Sequence, residues 1–367
     1  DMITSGRWFL TVACGFSSYF SLPWAIGLLS LFFLSIGAAA LIEFLEIKNE
    51  PGIILICGLL VSFPALASTY AYIFTADGYM FALCLVFLAV TVTKKSDWGF
   101  IPGGICLAFS MGTYQSYLSF AILLSMYGCL MVFFSENSLK KKVNGILRYL
   151  YMGLIGVGLY YVILQVLLKV QGRELDTYQG INGMTAGGSL PFSEKLWNLY
   201  GDFFAFTGNG NVLYNNMISF AAFGVLTIAA FILLMRFVVR RGYFRKWYFY
   251  LICLLTILVV PAAFNVILLI SPEVTYHLLM RYQWCLLPVL MLAFMLRYGF
   301  GQTELSGQFS PLHRRDPQVL KKPSVISNIV LQWGVVLGGF ILVFNYGVTD
   351  NIAYSNLQKK YEKTYAY

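Results

Sequence analysis

The chain is a succession of long apolar runs separated by short polar segments, and that pattern leaves few folds open. Runs almost free of charge fall at 22–46, 52–73, 79–93, 99–112, 116–134, 149–169, 216–238, 247–271, 283–298 and 325–346. A helix needs about 20 apolar residues to cross a hydrocarbon layer roughly 30 Å thick. In lipid every backbone N–H and C=O must be satisfied within the spanning element, so such runs read as helices. The expected fold is an all-α, polytopic transmembrane helical bundle of about ten spans. Composition agrees: 59% of the 367 residues are hydrophobic and 11% are charged, against roughly 25% charged in a soluble domain. Three runs are short, 79–93, 99–112 and 283–298. The run 99–112 opens on Pro102, Gly103 and Gly104, which reads as a tilted, broken or protein-buried segment.

The formal charge of +9 raises nucleic acid as a partner, but the basic residues lie in short clusters between apolar runs. One set of loops holds Lys48, Lys94, Lys95, Lys140, Lys141, Lys142, Arg148, Arg236, Arg240, Arg241, Arg245, Lys246, Arg297, Arg314, Arg315, Lys321 and Lys322. The alternate loops hold fewer: Arg7, Lys169, Arg173, Lys195, Arg281, Lys359, Lys360 and Lys363. The basic set is expected on the cytoplasmic side, with both termini of this chain outside. The first residue is Asp1 rather than Met, so an outside N-terminus implies an upstream export signal or helix. No internal repeat is visible, which weighs against transporters built from duplicated halves.

The outer side then carries most of the polar sequence. Trp8, Val12, Phe16 and Phe20 share a helical spacing, which suggests a helix lying in the interface. The tail 347–367 places Tyr354, Leu357, Tyr361 and Tyr365 on one face, a second interfacial helix in this reading. The outer loop 171–215 and that tail are taken as parts of one domain, 1–367.

Ionisable groups near membrane depth are expensive and mark candidate function. Asp77 stands at the outer mouth between two runs, Arg7 precedes the first interfacial segment, and Tyr114 and Gln115 occupy a tight outer turn. Glu273, His277, Arg281, Tyr282 and Gln283 line the turn before the ninth run. The loop 171–215 adds Tyr178, Gln179, Asn182, Trp197, Tyr200, Asp202, Asn209, Asn211 and Tyr214. Aromatic faces beside amides suit sugar rings, whose axial C–H groups stack while their hydroxyls hydrogen-bond. The same aromatics would serve as an ordinary interface belt. The seven cysteines lie in apolar stretches with no CxxC pair, and the two histidines, His277 and His313, form no HExxH. A dedicated zinc site is not expected.

Taken in order, Gly6-Arg7-Trp8-Phe9-Leu10, Asp77-Gly78-Tyr79, Gly112-Thr113-Tyr114-Gln115-Ser116, Arg281 and the stretch 351–367 resemble the bacterial membrane glucosyltransferases that decorate O-antigen and related surface polysaccharides. The resemblance runs along nearly the whole chain. It implies a GT-C-type glycosyltransferase in the bacterial cytoplasmic membrane, moving a hexose, glucose by the family name, from a polyprenyl-phosphate donor to a polysaccharide or glycolipid on the outer side. The family keeps an acidic residue in its first outer loop; this chain starts inside or just after that loop, and no residue here is matched to that carboxylate. Within this reading Asp77 is the base or acceptor-positioning carboxylate. Arg7 and Arg281 bind the donor phosphate, and Tyr114, Gln115, Tyr178 and Trp197 contact sugar or acceptor. No cofactor is certain; a divalent cation has little support from one clear carboxylate. Two other classes stay open. A lipid-linked sugar transporter would place polar groups at the midplane, where Asn265 and Gln165 are the main exceptions to apolar span interiors. A non-catalytic envelope-assembly subunit is the third.

Overall fold

A computed structural model describes residues 2–15, 22–176, 191–271, 274–299 and 323–365, with side chains omitted at 299, 323–329 and 365. All regular structure among these residues is helical. The main helices are α1 Pro23–Leu45, α2 Glu50–Ser62, α3 Pro64–Tyr70, α4 Ala76–Lys95, α5 Phe100–Thr113, α6 Leu118–Phe134, α7 Leu139–Gln171, α8 Phe192–Gly208, α9 Met217–Arg240, α10 Trp247–Phe264, α11 Leu286–Phe294 and α12 Pro323–Tyr365. Eight helical stretches are long and apolar enough to cross a membrane, and the pair α2–α3, bent by 49°, makes a ninth. With the shorter apolar α5, every expected run is helical.

Local chemistry explains the boundaries. Pro64 forces the preceding Phe63 into an extended conformation, φ −67° and ψ 129°, which separates α2 from α3. Asn216 caps α9 by accepting from Ser219 N, while the Ser219 side chain accepts in return from the Asn216 backbone, a reciprocal capping box. Gly172 ends α7 at φ 61°, a left-handed turn that glycine adopts without steric cost.

Several expectations change. The run 79–93 is part of a helical stretch, Ile73–Lys95, of full spanning length, and 283–298 lies within Leu278–Tyr298. Of the readings open for the run 99–112, the structure shows a continuous helix, Phe100–Thr113, with one face buried in protein. Pro102 sits in its first turn, where a missing N–H costs nothing. Gly103 and Gly104 bring neighbours close: a Cβ on Gly103 would lie 2.4 Å from Thr93 Oγ1 and 2.8 Å from Ala89 O, and one on Gly104 would lie 2.6 Å from Ile155 Cγ2. A Cβ on Gly156 of α7 would lie 2.7 Å from Leu107 Cδ2. Small residues let membrane helices approach where no hydrophobic force drives them together. Gly103→Ala is therefore expected to lower stability by about 1–3 kcal/mol through overpacking, read as a lower thermal midpoint in detergent. Gly153→Ala, on α7 with open space at its Cβ position, is the control that should hold or raise the midpoint.

Of the interfacial helix expected at 8–20, the described residues show one turn, Leu10–Ala13, and 16–21 lie outside the described residues. Trp8 is buried rather than at an interface; its ring fills the space over Gly112, 2.5 Å from where a Cβ would be. The tail 347–365 is helical but is no separate element, because α12 continues through it for 43 residues. The loop 171–215 contains α8, an amphipathic helix that burying Leu199 and exposing Phe192, Trp197 and Phe204 makes two-faced.

The chain forms two compact units. The first comprises 1–44, 68–205 and 255–284. Here α4, α5, α6 and α7 pack on one another, with Thr91 Oγ1 donating to Ala40 O of α1. One end of this unit is basic: Lys95 pairs with Glu43 at 3.0 Å and Arg148 with Asp97. The second unit comprises 45–67, 206–254 and 285–367. Gly58 and Gly339 seat α2 against α12, where Cβ atoms would meet Val343 and Leu55 at 3.1 Å. Asn216 Nδ2 donates to Asn345 Oδ1 at 2.6 Å, and Tyr346 donates to Leu213 O at 2.9 Å.

Candidate functional site

Asp77, Tyr114 and Gln115 stand at the ends of α4, α5 and α6 that lie away from Lys94, Lys95 and Arg148. The N-terminal segment is stitched across these ends. Phe9 N donates to Gly112 O at 2.7 Å, and Asp176 N donates to Thr4 O at 2.9 Å. Tyr160 of α7 donates to Gly6 O at 3.1 Å, and Gln115 Nε2 donates to Ser5 O at 3.0 Å. Gly6 is required at this crossing. Its φ is +74°, and a Cβ would fall 2.5 Å from Gln115 Nε2.

That seam delivers Arg7. Its guanidinium carbon lies 5.2 Å from the centre of the Tyr114 ring, a cation–π distance. Nη1 reaches the Tyr79 hydroxyl at 3.5 Å, and Nε is buried without a hydrogen bond. Tyr79 and Tyr114 stack with centroids 4.5 Å apart. Two residues before Tyr79, Asp77 is 1% exposed. Its Oδ1 accepts from Gly78 N at 2.9 Å, while Oδ2 is buried with no partner. Its place in the first turn of α4 supplies a helix N-terminus, which favours negative charge. The Cys14 thiol approaches the same carboxylate, and burial with that neighbouring charge pushes the thiol up to about 12. Gly78 permits the approach, since a Cβ there would lie 2.4 Å from Cys14 Sγ.

A second cluster forms in the same unit around Arg281, where the backbone kinks at φ −106° and ψ 18°. Nη1 and Nη2 form a two-pronged pair with Asp202, at 2.7 and 2.6 Å. The guanidinium lies 3.8 Å over the Tyr276 ring. Asn265 Nδ2 donates to Asp202 Oδ2 at 3.0 Å and to Leu199 O at 3.1 Å. Tyr276 donates to Asn265 Oδ1 at 3.1 Å and accepts from Gln283 Nε2 at 2.9 Å. Ser116, beside Gln115, donates to Met280 O at 2.7 Å. Ser116 thus ties the turn that carries Tyr114 and Gln115 to the segment just before Arg281. Burial pushes the Tyr114 and Tyr276 phenols well above their ordinary range, so both remain protonated donors at any working pH.

The candidates read from sequence thus separate. Arg7 lies against Tyr114 and Tyr79, Gln115 holds the segment that carries Arg7, Asp77 stands two positions before Tyr79, and Arg281 forms the second cluster. Gln115 is spent on Ser5 and Tyr160, so it holds the segment that carries Arg7. Arg281 is held by Asp202. Trp197 is 79% exposed on α8, away from the cluster. Tyr178 and Glu273 fall outside the described residues, and His277 is exposed. Tyr276 and Tyr160 emerge only here, while Asp202, one of the polar residues of loop 171–215, gains its role as the partner of Arg281. Asn265 carried a signal as an amide inside an apolar run; Tyr160 carried none, because tyrosine is common in these helices. No group of three or more metal-ligating side chains occurs among the described residues.

An all-helical, multi-pass membrane protein with a buried carboxylate, two arginines and stacked tyrosines gathered at one end has the parts of a membrane group-transfer enzyme. Residues 1–296 match the family described as glucosyl transferase GtrII, and the chain belongs to that family of glycosyltransferases. The match stops before α12. Neither the curated proteins nor the solved structures gave a match. Family membership favours transfer over the conduit and assembly alternatives, and agrees with the resemblance carried by the Gly6–Leu10, Asp77 and Tyr114 motifs.

Proposed function

We propose that the enzyme moves glucose from a polyprenyl-phosphate donor to a surface polysaccharide or glycolipid at the outer side of the bacterial cytoplasmic membrane, with inversion at the anomeric carbon. The observation that carries this reading is Asp77, a buried carboxylate with an unpartnered oxygen, in the cluster that holds Arg7 and the stacked Tyr79–Tyr114 pair. The acceptor hydroxyl attacks C1 of the glucose and gives its proton to Asp77. The bond from C1 to the phosphate oxygen breaks, and polyprenyl phosphate leaves with the charge. Arg7 offsets that charge, because a guanidinium matches phosphate geometry and stays protonated. Tyr114, stacked on Tyr79, holds the Arg7 guanidinium in place. The basic loops at the other end of the unit support placing this end outside.

The test is transfer in vitro. Purified full-length protein is mixed with polyprenyl-phosphate glucose and envelope polysaccharide, and free polyprenyl phosphate is followed. Acceptor-dependent release is expected, with a product linkage opposite in anomeric configuration to the donor. Absence of release from folded protein, with several polyprenyl-phosphate sugars, would remove the donor class from the reading.

A further inference from the structure

We infer that Asp202 is a positioning residue for sugar transfer: it fixes the Arg281 guanidinium against the face of Tyr276 so that the cation is presented to the donor phosphate. The inference rests on the donor being a phosphorylated sugar, as proposed above.

Arg281 sits on a kinked backbone, and a free arginine side chain there would sample many rotamers. Three contacts remove that freedom. Asp202 grips both Nη atoms, the Tyr276 ring lies under the guanidinium, and Nε approaches Tyr276 O at 3.4 Å. These contacts take three of the five N–H donors of a guanidinium.

Asp202 is itself anchored. Asn265 donates to its Oδ2 and to Leu199 O one turn earlier on α8. Tyr200 donates to Leu258 O at 2.5 Å. Phe203 packs on Trp284 with centroids 5.2 Å apart, and Trp284 packs on Phe264 at 4.5 Å. Tyr276 is fixed in turn by Asn265 and Gln283. Every partner of the arginine is therefore held by a further partner. Enclosed ion pairs contribute little net stability, because desolvation offsets the attraction. Such a network is better accounted for by the orientation it imposes. That orientation lays Arg281 over the face of Tyr276, while Arg7 lies over the face of Tyr114 in the same unit. Each cation is thus held on its own tyrosine face, an arrangement suited to the charge of a phosphodiester that leaves as a monoester.

The experiment measures donor and acceptor KM for wild type, Asp202→Asn, Asp202→Glu, Arg281→Lys and the double variant Asp202→Asn with Arg281→Lys, in full-length protein with thermal midpoints recorded. Asp202→Asn is expected to raise donor KM about tenfold, equivalent to about 1.4 kcal/mol, with acceptor KM unchanged. Asp202→Glu should recover most of the loss. The double variant should be no worse than Arg281→Lys alone, since both changes remove one interaction. Wild-type donor KM in Asp202→Asn, equal losses for donor and acceptor, or additive losses in the double variant would each overturn the inference. If Asp202→Asn does not fold, Arg281→Lys decides, with a tenfold donor-specific loss expected and a wild-type donor KM overturning. A wild-type enzyme that ignores the lipid donor but uses nucleotide-activated glucose would overturn the donor reading alone. The same KM comparison on that phosphorylated donor then tests Asp202.

Discussion

Asp77→Asn is expected to reduce kcat by about 10²–10⁴-fold, the range lost with a general base, while leaving the protein folded. The substitution keeps the size of the side chain and the acceptor for Gly78 N, and removes the charge. In the native enzyme the second carboxylate oxygen is buried with no hydrogen bond, which costs stability. Relief of that cost should hold or raise the thermal midpoint, as when an active-site strain is released. The pair of readouts separates the roles. A structural carboxylate would lose stability together with activity, whereas a base loses activity alone. Transfer at the wild-type rate from normally expressed Asp77→Asn would remove Asp77 from the mechanism.

Arg7→Ala is expected to lower kcat/KM for the donor by about 10²–10³-fold, the range seen when a preorganised group facing developing charge is removed. Arg7→Lys should recover only part of this, because an ammonium supplies charge without the planar fork. The side chain has few other duties: a long contact to Tyr79 and the face of Tyr114. The segment that carries it is held by backbone groups of Gly6, Ser5 and Phe9. The fold should therefore survive, and the test is the donor dependence of the rate at a matched thermal midpoint. An unchanged kcat/KM in Arg7→Ala would assign the phosphate to other groups and leave Arg7 as a packing residue on Tyr114.

The sequence by itself determined the class of fold, because apolar runs of spanning length have one low-energy answer in lipid. A helix satisfies its own backbone, and the run boundaries in α1, α6 and α9 follow from the residues inside them. The alternation of basic loops located the polar end that carries Asp77, Arg7 and Tyr114. Arg281 was legible as a cation before an apolar run.

Tertiary structure decided the rest. Pro102, Gly103 and Gly104 left the run 99–112 readable as tilted, broken or buried in protein, and only the packing shows Gly103 and Gly104 as buried contact points, since a glycine's effect depends on what lies opposite the missing Cβ. Trp8 and Val12 shared a helical spacing that suggested an interface, but Trp8 is buried over Gly112 because a shape complementary to its ring exists there. Gln115, read as a sugar contact, also donates to Ser5 O and so holds the segment that carries Arg7. Asp202 and Arg281 are 79 positions apart, and no local rule links them. Only the docking of α8, through Leu199, Phe203 and Asn265, brings that carboxylate to that cation. Periodicity and solvation are properties of a segment, and they survive in the sequence. The meeting of two side chains depends on the path of the chain between them.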